Sequence, residues 1–263
     1  MSDPVLLFSL IVLVSIAGWK TKNLSVSGSV AAVMTGTAVA WAFGWRGLLV
    51  LGVFFASSSF WSKFKSSEKS AIEQKLAKTS MRDWQQVFAN GGSAMVFALL
   101  YSSTQDISYL LGAFASLAAA NADTWASEIG PLSKVSPISI KTWRRVESGT
   151  SGAVSLLGTF ASFAGAITIA FISVGVFKDI DWPGGVIIAV TGFSGSLIDT
   201  LLGATLQVQY KCPRCGLVTE APVHCRAKCQ KIKGTYVVNN EFVNFAASLL
   251  AGLAAAVFMQ IIS

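Results

Sequence analysis

The sequence predicts an all-α fold: a polytopic transmembrane helical bundle of about eight spans with a small Cys-rich cytoplasmic loop. Of its 263 residues, 53% are hydrophobic and 13% charged, against about 25% charged in a soluble domain. Apolar runs of membrane-helix size recur along the whole chain, whose mean hydropathy is +0.60. All but Arg46 and Lys178 of the 20 Lys and Arg residues fall in four loops: Lys20 to Lys22, Lys63 to Arg82, Lys134 to Arg145, and Lys211 to Lys233. One alternating topology places these loops on a single side, which the positive-inside rule makes cytoplasmic. Asp3, Asp106, Asp179 and Asp181 then lie on the opposite side, with both termini.

The spans follow in order. The first, 4–18, precedes its basic residues Lys20 and Lys22, whereas a signal peptide carries them before its apolar stretch; it reads as a retained helix. Spans 25–42, 47–61, 84–102, 108–129, 152–177, 184–204 and 240–262 complete the set. The first and third are shorter than the roughly 20 residues of a perpendicular crossing. Trp19, Trp41, Trp45, Trp61, Trp84, Trp143 and Trp182 sit near span ends, as interfacial anchors do. Between spans, 62–83 reads as a polar helical hairpin or surface helix. Residues 1–263 form a single integral-membrane domain, with 205–239 a Cys-rich insertion. The net charge of +7 follows from topology and favours anionic lipid headgroups, so the partner is the bilayer and not nucleic acid.

Polar motifs gather at the cytoplasmic span ends: N-A-D-T-W-A-S-E-I-G at Asn121, G-T-S-G-A-V-S at Gly149, G-F-S-G-S-L-I-D-T-L-L-G-A-T-L-Q at Gly192 and N-N-E-F-V-N at Asn239. At about 100° per residue, Gly192, Ser196, Asp199, Gly203 and Gln207 form one stripe. Asn240, Asn244 and Ser248 form another. Asn121, Thr124 and Glu128 share a face, but Asp123 lies about 140° from Glu128. Either the helix breaks there or the two acids have different jobs. Small and amide residues also serve helix packing. Three intramembrane acids do not, and imply a cation, a proton path or a metal–phosphate complex. Gly149-Thr150-Ser151-Gly152 at a helix N-terminus would offer backbone N–H groups to phosphate, with Lys141, Arg144 and Arg145 just before it. Asp123 and Asp199 would hold Mg²⁺, with Glu128 in support. Neither G-x-x-x-x-G-K-[ST] nor G-x-G-x-x-G occurs, which argues against a P-loop or Rossmann nucleotide domain.

Cys212-x2-Cys215-x9-Cys225-x3-Cys229, with His224 the single histidine, has zinc-knuckle spacing. Cys212, Cys215 and Cys225 would be ligands, with Cys229 or His224 the fourth. Redox-active pairs and unligated thiols are the alternatives.

At the four polar motifs the chain resembles the integral-membrane family catalogued as domain of unknown function 92, whose best-known members are plant phytyl-phosphate kinases. The resemblance spans nearly the whole chain. It implies transfer of a phosphoryl group from a nucleoside triphosphate, CTP or ATP, to an isoprenyl monophosphate. It also implies kinship with CTP-using lipid alcohol kinases, whose G-D motif is similar to Ala122-Asp123. The family pattern has Asn where this chain has Ser151; either side chain accepts a backbone N–H. A CTP-dependent lipid alcohol kinase or cytidylyltransferase, and an ion-coupled transporter using the three acids, are the competing readings.

Overall fold

The structure, a computed structural model, describes residues 3–65 and 81–262. The helical hairpin or surface helix expected within 62–83 therefore lies mostly outside the described residues. Among the described residues there are seven α-helices: α1 (Pro4–Lys20), α2 (Val26–Lys63), α3 (Trp84–Thr104), α4 (Ile107–Ile129), α5 (Leu156–Val176), α6 (Trp182–Thr205) and α7 (Asn240–Ile262). Four of them, α2, α5, α6 and α7, are long and apolar enough to cross a membrane.

Helix α2 is two rods. Gly44 adopts φ 63° and ψ −152°, a conformation that glycine reaches without a Cβ clash. The chain doubles back there, so Lys63 at the end of α2 donates from Nζ to Thr21 O at 2.9 Å. A straight helix of 38 residues would hold those ends apart by roughly 57 Å. The break separates the expected segments 25–42 and 47–61.

Alternating helix directions give the bundle two ends. One carries the aromatic cluster of Phe43, Tyr101, Phe114 and Phe177, with neighbouring rings 4.9–6.2 Å apart. The other gathers Ser62, Arg82, Glu128, Ser155 and Gly203. Helix α4 is the hub, with an unbroken buried run from Leu110 to Ala122. Its alanines and its neighbours' glycines allow close approach: a Cβ on Gly192 would sit 2.5 Å from that of Ala118. Shielded from lipid by other helices, α4 can be small and polar rather than strongly apolar.

Helix starts follow side-chain caps. Asp3, Asp106 and Asp181 accept from the backbone N–H of Val5, Ser108 and Gly184 at 2.8–2.9 Å. Ser25, Asp83 and Ser155 cap helices starting at the opposite end. Helix α5 thus begins at Leu156, four residues later than expected.

The insertion after α6 is not a plain loop. It contains β3 (Gln209–Lys211) between β4 (Val218–Thr219) and β7 (Gln230–Lys233), all antiparallel, and a small hairpin of β5 (Val223–His224) and β6 (Ala227–Lys228). Strands this short carry no period-2 pattern, so the all-α expectation missed them. A further pair, β1 (Ile138–Ser139) and β2 (Ala153–Val154), closes the α4–α5 connection.

Candidate active site

A cavity of about 350 Å³ opens at the polar end of the bundle, between α4, α5, α6 and the loops around Arg82, Gly149 and Glu220. Its centre is a pair of acids. Asp123 on α4 and Asp199 on α6 hydrogen-bond to one another through their carboxyl groups. From behind, with the Asn244 amide on α7 turned to the orientation that satisfies both of its ends, its side-chain nitrogen donates to Asp199 Oδ2 at 2.8 Å. Two facing carboxyls need a shared proton or a cation between them, since both cannot stand ionised and bare.

Glu128 also lines the cavity but faces another way, accepting from Ser62 Oγ at 2.7 Å. Helix α4 stays regular through Ile129, so the separation of about 140° is kept and the two acids do different work. Beside Glu128 stands Arg82, the one Arg or Lys lining this cavity among the described residues. Its Nη1 donates to Ser59 Oγ at 3.3 Å. Its backbone is pinned to the start of α2, with N donating to Asn23 O at 3.0 Å and O accepting from Ser25 N at 2.9 Å. Burial draws the guanidinium below its ordinary value, while the Glu128 carboxylate favours the charge.

The G-T-S-G loop lines the opposite wall. It does not stand at a helix N-terminus, because β2 and the Ser155 cap separate it from α5. It is instead clamped to α6. Ser151 Oγ lies 3.1 Å from both Gly203 O and Gln207 Oε1. Gly152 has φ +76°, and a Cβ there would overlap Ala204. Gln207 Nε2 in turn donates to Glu220 Oε1 at 2.8 Å. Glu220 thus reaches the cavity from the Cys-rich insertion, and burial pushes it up to about 7. Lys233 Nζ donates to Gly203 O at 2.9 Å; burial and Lys141 lower its pKa, against the pull of Glu220.

Thr124, Ser196 and Asn240 line the cavity as well. Asn121 does not. It is fully buried, with Nδ2 donating to Gly165 O at 2.8 Å and Oδ1 accepting from Ser57 and Ser58. Its amide is spent on helix packing, which corrects the expected ligand role. Lys141, Arg144 and Arg145 are exposed and outside the lining; Arg145 donates to Ser136 O at 3.2 Å. The cation at the cavity is Arg82. The residues that sequence reasoning missed are Ser62, Arg82, Gln86, Ser162 and Glu220. Only Arg82 had a local signal, since it precedes the capping box of Asp83 and Gln86. Ser162 Oγ is buried with no hydrogen-bond partner among the described residues.

In the insertion, Cys212, Cys215, His224 and Cys225 present ligand atoms within 4.8 Å of one another, a group able to hold a metal. The Cys215–Cys225 sulfurs are 3.8 Å apart, and His224 Nδ1 lies 3.5 and 3.3 Å from them. Backbone hydrogen bonding by Cys215 draws the Cys212 thiol down to about 6, while its bond to Cys215 and desolvation push Cys225 up to about 11. Cys229 is buried beside Cys212 in a small cluster with Val208 and Tyr210.

Residues 9–252 match the model of the family described as Integral membrane protein DUF92. The chain belongs to this family. It is similar to Protein PGR of Arabidopsis thaliana, 30% identical over 93% of both chains. An uncharacterized membrane protein of Methanocaldococcus jannaschii is 30% identical over 89% of this chain and 85% of its own. Protein VTE6, chloroplastic, of Arabidopsis thaliana is 28% identical over 70% of this chain and 57% of its own. No solved structure matches the chain. It is a multi-pass membrane protein.

Proposed function

We propose that this protein is a membrane phosphotransferase that passes a phosphoryl group from a nucleoside triphosphate to a prenyl monophosphate, giving the diphosphate. The observation that carries this reading is the Asp123–Asp199 pair at the centre of a polar cavity that also holds Arg82 and the Gly149–Gly152 loop. The family's likeness to phytyl-phosphate kinases supplies the substrate class. In the reaction, an oxygen of the monophosphate bonds to the donor's γ-phosphorus as the bond to the nucleoside diphosphate breaks. A phosphate monoester near neutral pH already carries about −1.5 to −2, so no general base is required. That suits a cavity whose nearest histidine, His224, belongs to the cysteine cluster instead.

The donor set fits Mg²⁺, which favours carboxylate oxygens and keeps sites open for phosphate and water. Asp123 and Asp199 would hold it, and bound there it would neutralise charge on the transferring phosphate. Arg82 attracts and orients the anionic head, and Glu128 fixes Arg82. Asn244 holds Asp199 in place, and Ser151 and Gln207 tie the Gly149–Gly152 wall to α6.

The reading has eight crossings, counting both rods of α2, and sets the cavity end in the cytoplasm, where the basic loops belong. The cysteine cluster is read as a structural zinc site of Cys212, Cys215, Cys225 and His224. Zn–S bonds of about 2.3 Å in a tetrahedron space sulfurs roughly 3.8 Å apart, matching the Cys215–Cys225 separation.

The test is incubation of purified protein with a panel of prenyl monophosphates and prenols and each of the four nucleoside triphosphates, read by product mass. A diphosphate from a monophosphate is expected. Phosphorylation of the alcohols alone, or a nucleotidyl adduct, would overturn the reading.

A further inference from the structure

A second cavity, of about 170 Å³, lies between α1, the two rods of α2 and α3. Its wall is apolar along α1 and the second rod of α2, through Leu10, Val14, Leu48 and Phe54. Its polar end is shared: Arg82 and Gln86 line this cavity and also the one that holds Asp123 and Asp199. At the junction the Arg82 guanidinium lies over the Phe55 ring, 5.9 Å from its centroid, so a cationic site passes directly into hydrocarbon. Inside, Thr35 is buried and its Oγ1 has no hydrogen-bond partner among the described residues. Gly52 lines the wall and is exposed, and a Cβ built there would meet nothing within 4 Å.

We propose that this groove holds the single apolar tail of the phosphate-bearing substrate, with the head at Arg82 and Gln86 facing the Asp123–Asp199 cavity. The assignment rests on the phosphotransferase reading. A one-tailed amphiphilic phosphate needs an anion-attracting point that opens on one side to the reacting groups and on the other to an apolar slot. Arg82 is that point. Its backbone is bonded to Asn23 and Ser25 and its side chain to Ser59, so head and tail compartments keep a fixed relation. The slot opens at Gly52, which lets a longer tail run on into the bilayer. A two-chain phospholipid is the less suitable occupant, because a cavity of about 170 Å³ leaves little room for a second chain.

Gly52 offers the cleanest test. It stands seven residues from Ser59, the Arg82 contact, or roughly 10 Å deeper at 1.5 Å per residue. Replacing a helical glycine also favours the helix. In Gly52→Leu and Gly52→Phe, KM for prenyl phosphates of three or four isoprene units should rise at least tenfold. A one-unit phosphate, too short to reach Gly52, should change less than twofold. Equal effects on short and long substrates, or none, would overturn the proposal. Wild-type protein in nanodiscs is labelled in parallel with a prenyl phosphate carrying a photoreactive group at the tail end. Adducts are expected on Leu10, Val14 or Leu48. Adducts on Phe193 or Leu197, or full displacement of the probe by a diacyl phospholipid, would overturn it. Groove labelling without turnover on any prenyl phosphate would sink the kinase reading and leave the groove as a lipid-phosphate site. Turnover with labelling elsewhere would do the reverse.

Discussion

Glu220 gives a stability measurement that isolates the link between the cysteine-rich insertion and the cavity. Burial is the main cause of its raised pKa, with Glu241 adding to it and Gln207 and Lys233 opposing. Between its ordinary value of 4.5 and about 7, the folded protein holds a proton that the unfolded chain has released. That contribution to stability is therefore fully present below pH 4.5 and is lost as pH rises through 7. At about 1.4 kcal/mol per pH unit, the loss amounts to about 3 kcal/mol. Glu220→Gln keeps an acceptor oxygen for Gln207 Nε2 and removes the charge. In denaturant titrations of detergent-solubilised protein followed by tryptophan fluorescence, variant and wild type should coincide near pH 4.5. By pH 8 the variant should be more stable by as much as about 3 kcal/mol. Any pH dependence from the cysteine cluster is common to both proteins and cancels in the difference. Parallel stability curves across that range would show that Glu220 is not held in a desolvated position, and the link would fail.

Asp123→Asn and Asp199→Asn should each lower turnover at least 100-fold, about 2.7 kcal/mol of transition-state stabilisation; near-wild-type activity in a folded variant refutes the catalytic role. Asn121→Ala should destabilise the bundle by about 2–4 kcal/mol through its unsatisfied partners, yet leave the prenyl-phosphate KM unchanged; a raised KM would restore the ligand role. Gly152→Ala should cost at least about 1 kcal/mol from its positive φ, and more from overlap with Ala204, with turnover falling as the wall lifts off α6. For the cysteine cluster, metal analysis should find one zinc per chain. Cys225→Ser should lose it and Cys229→Ser retain it; loss of zinc in both variants would replace His224 by Cys229 in the ligand set.

Most of the helical architecture was legible because each helix carries its own signal. The apolar run of α7 and the cap before α6 are local facts, and the break at Gly44 falls between two runs separated by F-G-W-R. The start of α5 was misplaced because Gly152 and Ala153 continue the small-residue pattern of a membrane helix. Only the β2 pairing with Ile138 and Ser139, a contact across the chain, takes them out of it. The strands of the insertion were invisible for the same reason. Their order β4-β3-β7 is fixed by pairings between segments up to two dozen residues apart.

The site was legible as a list of polar motifs and illegible as an allocation of roles. Asn121 and Asp123 belong to one motif, two residues apart, yet a helix turns such neighbours about 200° from each other. One therefore ends in the packed interior between α2 and α5, the other against Asp199. The same rotation sends Glu128 toward α2, where Ser62 and Arg82 meet it. Cationic residues posed the reverse problem. Lys141, Arg144 and Arg145 precede the G-T-S-G loop in sequence and remain in solvent, because the turn carrying them bonds to its own backbone at Ser136 and Ser139. Arg82, some forty residues before Asp123, is inside because its main chain is stitched to the start of α2 and its side chain has nowhere to go but the junction between two cavities. A guanidinium under that constraint, held between Glu128 and the Phe55 ring, is placed to meet an anionic head entering from either cavity. In the proposed reading, that shared position ties the polar motifs of α4 and α6 to the apolar groove of α1 and α2.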